Sequence, residues 1–337
     1  MRYLGSKESL TDSIKELLQE HNLLQRNYIF FDAFCGMGSV ADSMKSIYDH
    51  IIINDSLKCS TYFTRGKLYA NRCTFDGLGF DPFEFLNNGN NTLHGFIYQN
   101  YSPGGSERMY FSEENAGRID YFRRQIEDWK ELGQITEEEY VYLLACLLES
   151  VSDVSNTAGV YGAFLKHWDK RALKPIIFSK IDSNEGVCEN VESQNDKIEQ
   201  IISGIECDIL YLDPPYNERQ YAPNYHILET IAKYDEPKLR GVTGMRDYSS
   251  QKSRFCNPTT ALEDLNKIAK EAKYNFLVLS YNSEGIMPSE KILDTLKQYG
   301  TVKLEQFEYA RFKSNNNGLA RTKKTVFEQL YILKREA

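Results

Sequence analysis

Net positive charge is missing from this sequence of 337 residues: 40 Lys and Arg stand against 48 Asp and Glu, a formal charge of −8. That excludes a protein that binds polyanions through its overall charge, and any nucleic-acid contact has to come from local basic patches. Long apolar runs are also absent. The longest, YVYLLACLL at 140–148, is too short to span a bilayer and reads as a buried helix ended by Glu149, so no membrane partner is expected. The N-terminus, MRYLGSKESL, lacks the apolar core of a secretory signal. The seven cysteines are scattered, odd in number and without a C-x-x-C pair, which leaves neither a disulfide framework nor a zinc ribbon. No metal is expected, and a reducing cytoplasm is the expected location. Internal repeats are absent as well. Apolar residues make up 41%, enough for a sizeable core in one large α/β domain or two ordinary ones.

What is present begins with a strand, a turn and a helix. YIFFDAFCG, 28–36, reads as a strand entering a Gly-rich turn, VADSMKSI, 40–47, as a helix, and IIIND, 51–55, as a β-branched strand ending in an acid. Such a unit opens a doubly wound parallel sheet. A helix is predicted over 57–70. Residues 71–112, rich in Asn, Gly, Tyr and Phe, read as loops and short strands. Helices are predicted over 113–131, started by FSEEN, and over 136–152, where Thr136 precedes three glutamates. Residues 154–168 read as a loop that turns apolar. The sheet is expected to resume at PIIFSK, 175–180, and to continue through DILYLDPPY, 208–216, NFLVLSYNS, 275–283, and TVKLEQFEYARF, 301–312. TKKTVFEQLYILK, 322–334, pairs with the last of these as an antiparallel hairpin.

Two segments carry chemistry. In DAFCGMGSV, 32–40, Gly36 and Gly38 let the backbone turn sharply and approach a ligand. The spacing F-x-G-x-G is not the G-x-G-x-x-G of dinucleotide enzymes, and by itself it fits a plain tight turn too. Asp55 ends the next strand, where an acid commonly takes the ribose hydroxyls of an adenosine-bearing cofactor. Together the two favour a nucleoside cofactor without a large phosphate load. The second segment is Asp213, Pro214, Pro215 and Tyr216. Proline fixes φ, removes a donor and keeps the preceding residue extended, so Asp213 and the neighbouring carbonyls are presented rather than absorbed into a helix. Acceptors beside the flat face of Tyr216 suit a nucleobase with an amino group; a rigid turn without a ligand is the plainer alternative.

RYLGSK, 2–7, FCGMG, 34–38, Asp55, DPPY and the closing strand pair, with a long insertion before DPPY, resemble the Dam-like alpha-group N6-adenine DNA methyltransferases. YGAFLKHW, 161–168, DPPYNERQYAPNYHILE, 213–229, and SYNSEGIM, 280–287, further resemble a subgroup found with type IIS restriction systems. The resemblance implies an α/β fold: a Rossmann-like S-adenosylmethionine-dependent methyltransferase sheet with a C-terminal antiparallel hairpin. The catalytic domain would comprise 1–70 and 171–337, with a mostly helical target-recognition region inserted at 71–170. S-adenosyl-L-methionine is the implied cofactor. Tyr3 and Lys7 would lie near it, with Lys7 on the methionine carboxylate. Phe34, Gly36 and Gly38 would line the methionine side, Asp32 would take the amino group and Asp55 the ribose. Asp196 either approaches the cofactor adenine or is solvated in its acidic stretch. The implied substrate is an adenine flipped out of duplex DNA and stacked on Tyr216, its N6 protons held by Asp213 and the Pro214 carbonyl.

Two features are decoys. Cys35 sits in the Gly-rich turn, but this chemistry needs no thiol, and it reads as a small buried residue. ENV, 189–191, matches a motif of cytosine-carbon-5 methyltransferases, which also need a Pro-Cys nucleophile; no Pro-Cys dipeptide occurs here. For DNA contact, 236–258 holds five Lys/Arg against two Glu/Asp. Lys238, Arg240, Arg246, Lys252 and Arg254 are therefore expected to meet DNA, with a solvated loop as the plainer reading. Arg219 is expected at a phosphate beside the flipped base. Arg108, Arg118, Arg123, Arg124, Lys166 and Lys170 lie in the insertion, where reading guanine and pairing with Glu along a helix are equally open for Arg123 and Arg124. NNNGLARTKK, 315–324, is a basic hairpin tip. The expected partners are duplex DNA and a separate cognate restriction endonuclease, with the chain a monomer. Methylation of an amino group in RNA or protein is a second reading, opposed by RYLGSK and the long insertion. A DNA-binding homologue without catalysis is a third, opposed by the intact DPPY and FCGMG.

Overall fold

A computed structural model describes residues 7–309 and 326–336. Tyr3, the rest of RYLGSK before Lys7, and the basic tip at 315–324 lie outside the described residues. The chain opens with α1 (Thr11–Glu20), β1 (Ile29–Asp32), α2 (Ser39–Met44), β2 (His50–Asn54) and α3 (Lys58–Tyr69). A helical stretch follows: α4 (Pro82–Asn87), α5 (Phe96–Tyr101), α6 (Glu113–Glu131) and α7 (Glu137–Asp153). Then come β3 (Asn190–Gln194), α8 (Ile198–Ile201), β4 (Ile209–Leu212), α9 (His226–Lys233), α10 (Pro258–Glu271), β5 (Phe276–Asn282), α11 (Ser289–Leu296), β6 (Gly300–Tyr309) and β7 (Val326–Arg335).

Among the described residues the strands form one seven-stranded sheet in the order β3-β2-β1-β4-β5-β7-β6. The first five are parallel neighbours, and β7 runs antiparallel between β5 and β6. The central strands are continuous apolar runs because both faces are covered. Phe31, Leu210 and Leu277 face α10 and α11 through Leu265, Ile268 and Ile292. Their neighbours Phe30, Ile209 and Val278 face α1 and α2 through Ile14, Leu18 and Met44. The expected mixed α/β sheet with its antiparallel C-terminal pair is therefore present.

Two expectations are corrected, and one strand is new. Residues 71–112 form no strand and carry α4 and α5 instead. Asp81 Oδ1 accepts from the Phe83 and Glu84 N–H groups (2.7 and 3.2 Å), and Pro82 takes the first helical position. PIIFSK is not a strand. Its apolar Ile176 and Phe178 are buried in the helical layer, and its backbone bonds to side-chain amides: Ile176 N–H to Asn115 Oδ1 and Phe178 N–H to Asn87 Oδ1, both 2.9 Å. The strand beside β2 is β3, a polar edge strand that includes most of the ENV decoy. The two long helices start as expected, α6 on Ser112 and α7 in a reciprocal Thr136–Glu139 capping box.

The helical stretch closes onto the sheet unit. α3 meets α7 so tightly at Gly66 that an added Cβ would lie 2.3 Å from the Ala145 Cβ. Phe63 of α3, Phe122 of α6, Leu144 of α7 and Leu228 of α9 share one apolar core. No helix among the described residues is long and apolar enough to cross a membrane.

Candidate active site

Three neighbouring parallel strands, β2, β1 and β4, end at one cleft, the place where open α/β sheets bind ligands. The turn after β1 carries Gly36 and Gly38 at φ +50° and +75°. The left-handed region suits glycine, and at Gly38 an added Cβ would also come within 2.9 Å of Thr64 Oγ1. Gly38 thus shapes the turn, while Phe34 and Gly36 line the cleft. Asp55, just past β2, ties the turn down: Oδ2 accepts from the Gly36 N–H (3.1 Å) and Oδ1 from the Leu57 N–H (2.8 Å). Burial raises the Asp55 pKa to about 6, partly offset by those N–H groups.

Asp32 closes β1 and is buried in the cleft floor. Its Oδ1 has no hydrogen-bond partner among the described residues. Burial first, then the charge of Asp213, pushes its pKa to about 8. A buried carboxyl with an unfilled acceptor is a place for a cationic donor. Asp196, an exposed residue after β3, also reaches the cleft.

From the third strand, Asp213, Pro214, Pro215 and Tyr216 form the opposite wall. The Tyr216 carbonyl accepts from the Ile286 N–H (3.0 Å), which fixes the end of the turn. Lys7, expected at a methionine carboxylate, is instead held by two carboxylates of the chain. Its ammonium donates to Asp213 Oδ1 (3.0 Å) and to Glu328 Oε1 (2.5 Å). Burial works against its charge, but Asp213 and Glu328 outweigh that and raise its pKa. For Asp213, burial raises the pKa, Lys7 lowers it and Glu328 raises it, leaving it at about 6.

Sequence reading missed Glu328, and also Gln220, Gln251 and Ser253. Gln220 and Ser253 bond reciprocally, side chain to backbone (2.8 and 2.9 Å). Gln251 Nε2 donates to the Ser56 carbonyl (2.9 Å) and to Glu229 Oε1 (2.7 Å). These amides strap residues 251–253 across the cleft between the ends of β2 and β4. Isolated glutamines in a polar loop carry no periodic signal that would have exposed them.

The basic segment divides. Lys238, Arg240 and Lys252 are exposed, as is Arg219, whose N–H donates to Asn217 Oδ1 (2.9 Å). Arg246 is withdrawn from the DNA-facing set, because it is buried and forks Asp235 at 2.6 and 3.0 Å. Arg254 is paired with Asp264 (2.9 Å) and Glu263 (3.2 Å). In the insertion, Arg118 and Arg123 are buried on backbone carbonyls, and Arg124 pairs with Asp128 along its helix. Among the described residues no group of His, Cys, Asp and Glu could hold a metal ion.

The chain is 38% identical over 327 residues to the type II methyltransferase M.FokI of Planomicrobium okeanokoites, covering 94% of this chain and 50% of that protein. It is 38% identical over 343 residues to the type II methyltransferase M.NlaIII of Neisseria lactamica, covering 99% of each. It is 35% identical over 347 residues to the modification methylase LlaI of Lactococcus lactis subsp. lactis, covering 99% of this chain and 55% of that one. The chain thus spans about half the length of M.FokI and LlaI and almost all of M.NlaIII. A family model matches residues 3–295, from the N-terminal motif through both glycines and DPPY. The resemblance carried by those motifs holds: the chain belongs to the D12 class N6 adenine-specific DNA methyltransferases.

Proposed function

We propose that this protein transfers the methyl group of S-adenosyl-L-methionine to N6 of an adenine flipped out of duplex DNA, as the modification enzyme of a restriction-modification system. The observation that carries the reading is the DPPY turn, facing the glycine turn, Asp32 and Asp55 across a single cleft. The residues present fit the cofactor. The unfilled Asp32 Oδ1 suits its ammonium, Asp55 retains lone pairs for ribose hydroxyls, and Gly36 leaves room for close approach. When bound, the cofactor supplies an electrophilic sulfonium methyl.

The chain's own groups prepare the acceptor. An exocyclic adenine nitrogen is a poor nucleophile because its lone pair is delocalised into the ring. Asp213 and the Pro214 carbonyl accept its two N–H bonds and favour a tetrahedral nitrogen, and Tyr216 stacks on the ring. On gaining the methyl group the nitrogen would shed one proton, and the Asp213 carboxylate would accept it. Exposed Arg219, Lys238, Arg240 and Lys252 meet phosphates, and 71–170 supplies target recognition. The enzyme acts as a monomer in the cytoplasm beside a separate cognate endonuclease.

Sequencing DNA from a methylation-free host that expresses the protein should reveal N6-methyladenine at one recurring sequence. Labelled methyl found only in RNA or protein would overturn the reading. Asp213→Ala should cut transfer by about 10³-fold or more while cofactor binding persists; near-normal turnover would remove Asp213 from the mechanism.

A further inference from the structure

Glu328 breaks the rule of its own strand. Along β7, Leu330 and Ile332 point into the apolar core shared with α1 and α2, and the two-residue period puts Glu328 on that same face. Yet it is an acid, 2% exposed. On neighbouring β5, Ser280 breaks the same pattern one step beyond Val278, and its Oγ donates to Glu328 Oε1 (2.6 Å). A buried acid at a position that calls for an apolar side chain needs a reason beyond packing.

The partner supplies that reason. The oxygen that accepts from Ser280 also accepts from Lys7, and the Lys7 ammonium reaches on to Asp213. Three residues more than 100 positions apart in the chain thus make one line, Glu328–Lys7–Asp213, that ends at the DPPY turn. An ammonium bound to Asp213 alone would compete with the adenine amino group for the same lone pairs. Sharing it with a second carboxylate loosens that grip.

We propose that Glu328 is a positioning residue for methyl transfer, holding Lys7 so that Asp213 stays free to accept from the reacting amino group. This rests on the function proposed above. The other titratable groups that face Asp213 are Asp32 at the end of β1, Tyr211 on β4 and Tyr221 beyond the DPPY turn, with Asp55 behind Asp32. None of these would change in the variants that follow.

Two readouts on the full chain test it. In the protein without DNA, ¹³C-carboxyl titration of Asp213, assigned by Asp213→Asn, should move down by about one pH unit in Glu328→Gln, where Lys7 turns wholly to Asp213. It should move up by a similar amount in Lys7→Met. In turnover, the acid limb of the kcat–pH profile should follow the same two directions. The plateau kcat of Glu328→Gln should fall on the order of tenfold, about one charge-assisted hydrogen bond, with cofactor KM within about threefold, and Glu328→Asp should recover part of it. An unmoved Asp213 titration in Glu328→Gln overturns the proposal. So does a loss of activity that merely tracks lost thermal stability and lost cofactor binding. A titration that moves as expected in a protein with no DNA transfer would leave the coupling standing and overturn the methyl-transfer reading alone.

Discussion

Asp32 carries a carboxyl that the fold neither solvates nor fully satisfies, and this has a measurable cost. Its pKa lies near 3.9 in an unfolded chain and at about 8 in the folded one, raised by burial and then by Asp213. The folded state therefore keeps a proton that the unfolded state releases. The resulting stability is fully present below about pH 4 and is lost as pH rises through 8. Asp32→Asn should accordingly raise the Tm of the cofactor-free protein at pH 8, by roughly 2–4 °C for each kcal/mol recovered, and bring no gain at pH 4. The same change should weaken cofactor binding. Equal Tm gains at both pH values would mean that the carboxyl is not the source. Asp32, Asp55 and Asp213 were legible in the sequence because each ends an apolar run at a turn. Glu328 was not, since its meaning depends on a lysine 321 positions away. The role of Lys7 was only half legible: its place near the cleft was read, but not the two acids that hold it.

At the scale of one element, the turn at 240–245 shows how composition misleads. Arg240 and Met245 exchange both backbone hydrogen bonds at 2.9 Å, and the tip presents Val242 at 81% exposure. The tip is braced from the helical stretch. Arg108 donates through Nε to the Val242 carbonyl (2.9 Å) and through Nη2 to that of Gly241 (3.3 Å), and the Tyr101 hydroxyl reaches the Gly244 carbonyl (2.9 Å). A count of basic residues over 236–258 marked this surface, but counting does not separate free charges from bound ones. Three variants separate them. Arg240→Gln should lower the salt slope of DNA binding by about one. Arg108→Ala should weaken DNA binding about tenfold with the slope unchanged, because its guanidinium already serves carbonyls. Arg246→Gln should lower Tm and leave the slope alone, because it strips a buried partner from Asp235. A slope change in Arg246→Gln equal to that of Arg240→Gln would put Arg246 back among the phosphate contacts. PIIFSK teaches a related lesson. It reads as a strand of the sheet, but its backbone bonds to Asn115 and Asn87 instead of a neighbouring strand.

For the whole molecule, the β1-α2-β2 unit, the DPPY strand and the antiparallel closing pair were legible because each is a strongly patterned run between turns. The edge strand β3 was not, because one exposed on most positions has no apolar alternation to read. The sequence also suggested an insertion, and a helical stretch at 71–153 is there, but its packing bears on whether it can be removed. α3, which belongs to the sheet unit, is buried along Phe63, Gly66 and Tyr69. At Gly66 it approaches α7 to backbone distance, with the Val141 carbonyl 3.3 Å from an added Cβ. α9, which follows DPPY directly, takes the Arg123 guanidinium of α6 on its Ile231 carbonyl (2.9 Å). Removing 71–170 would expose apolar faces of both α3, which packs on the glycine turn at Gly38, and α9, the next α-helix after DPPY. Each large side chain laid bare forfeits about 1.5–3 kcal/mol, against a total stability of about 5–15 kcal/mol. A chain joining residue 70 to 171 through a short Gly-Ser linker should therefore show no cooperative thermal transition and no cofactor binding. The full chain should melt in one transition, coincident by far-UV and near-UV circular dichroism. A deletion variant that melts cooperatively and binds cofactor would mean that the sheet unit holds its own core, and that the shared layer serves recognition alone.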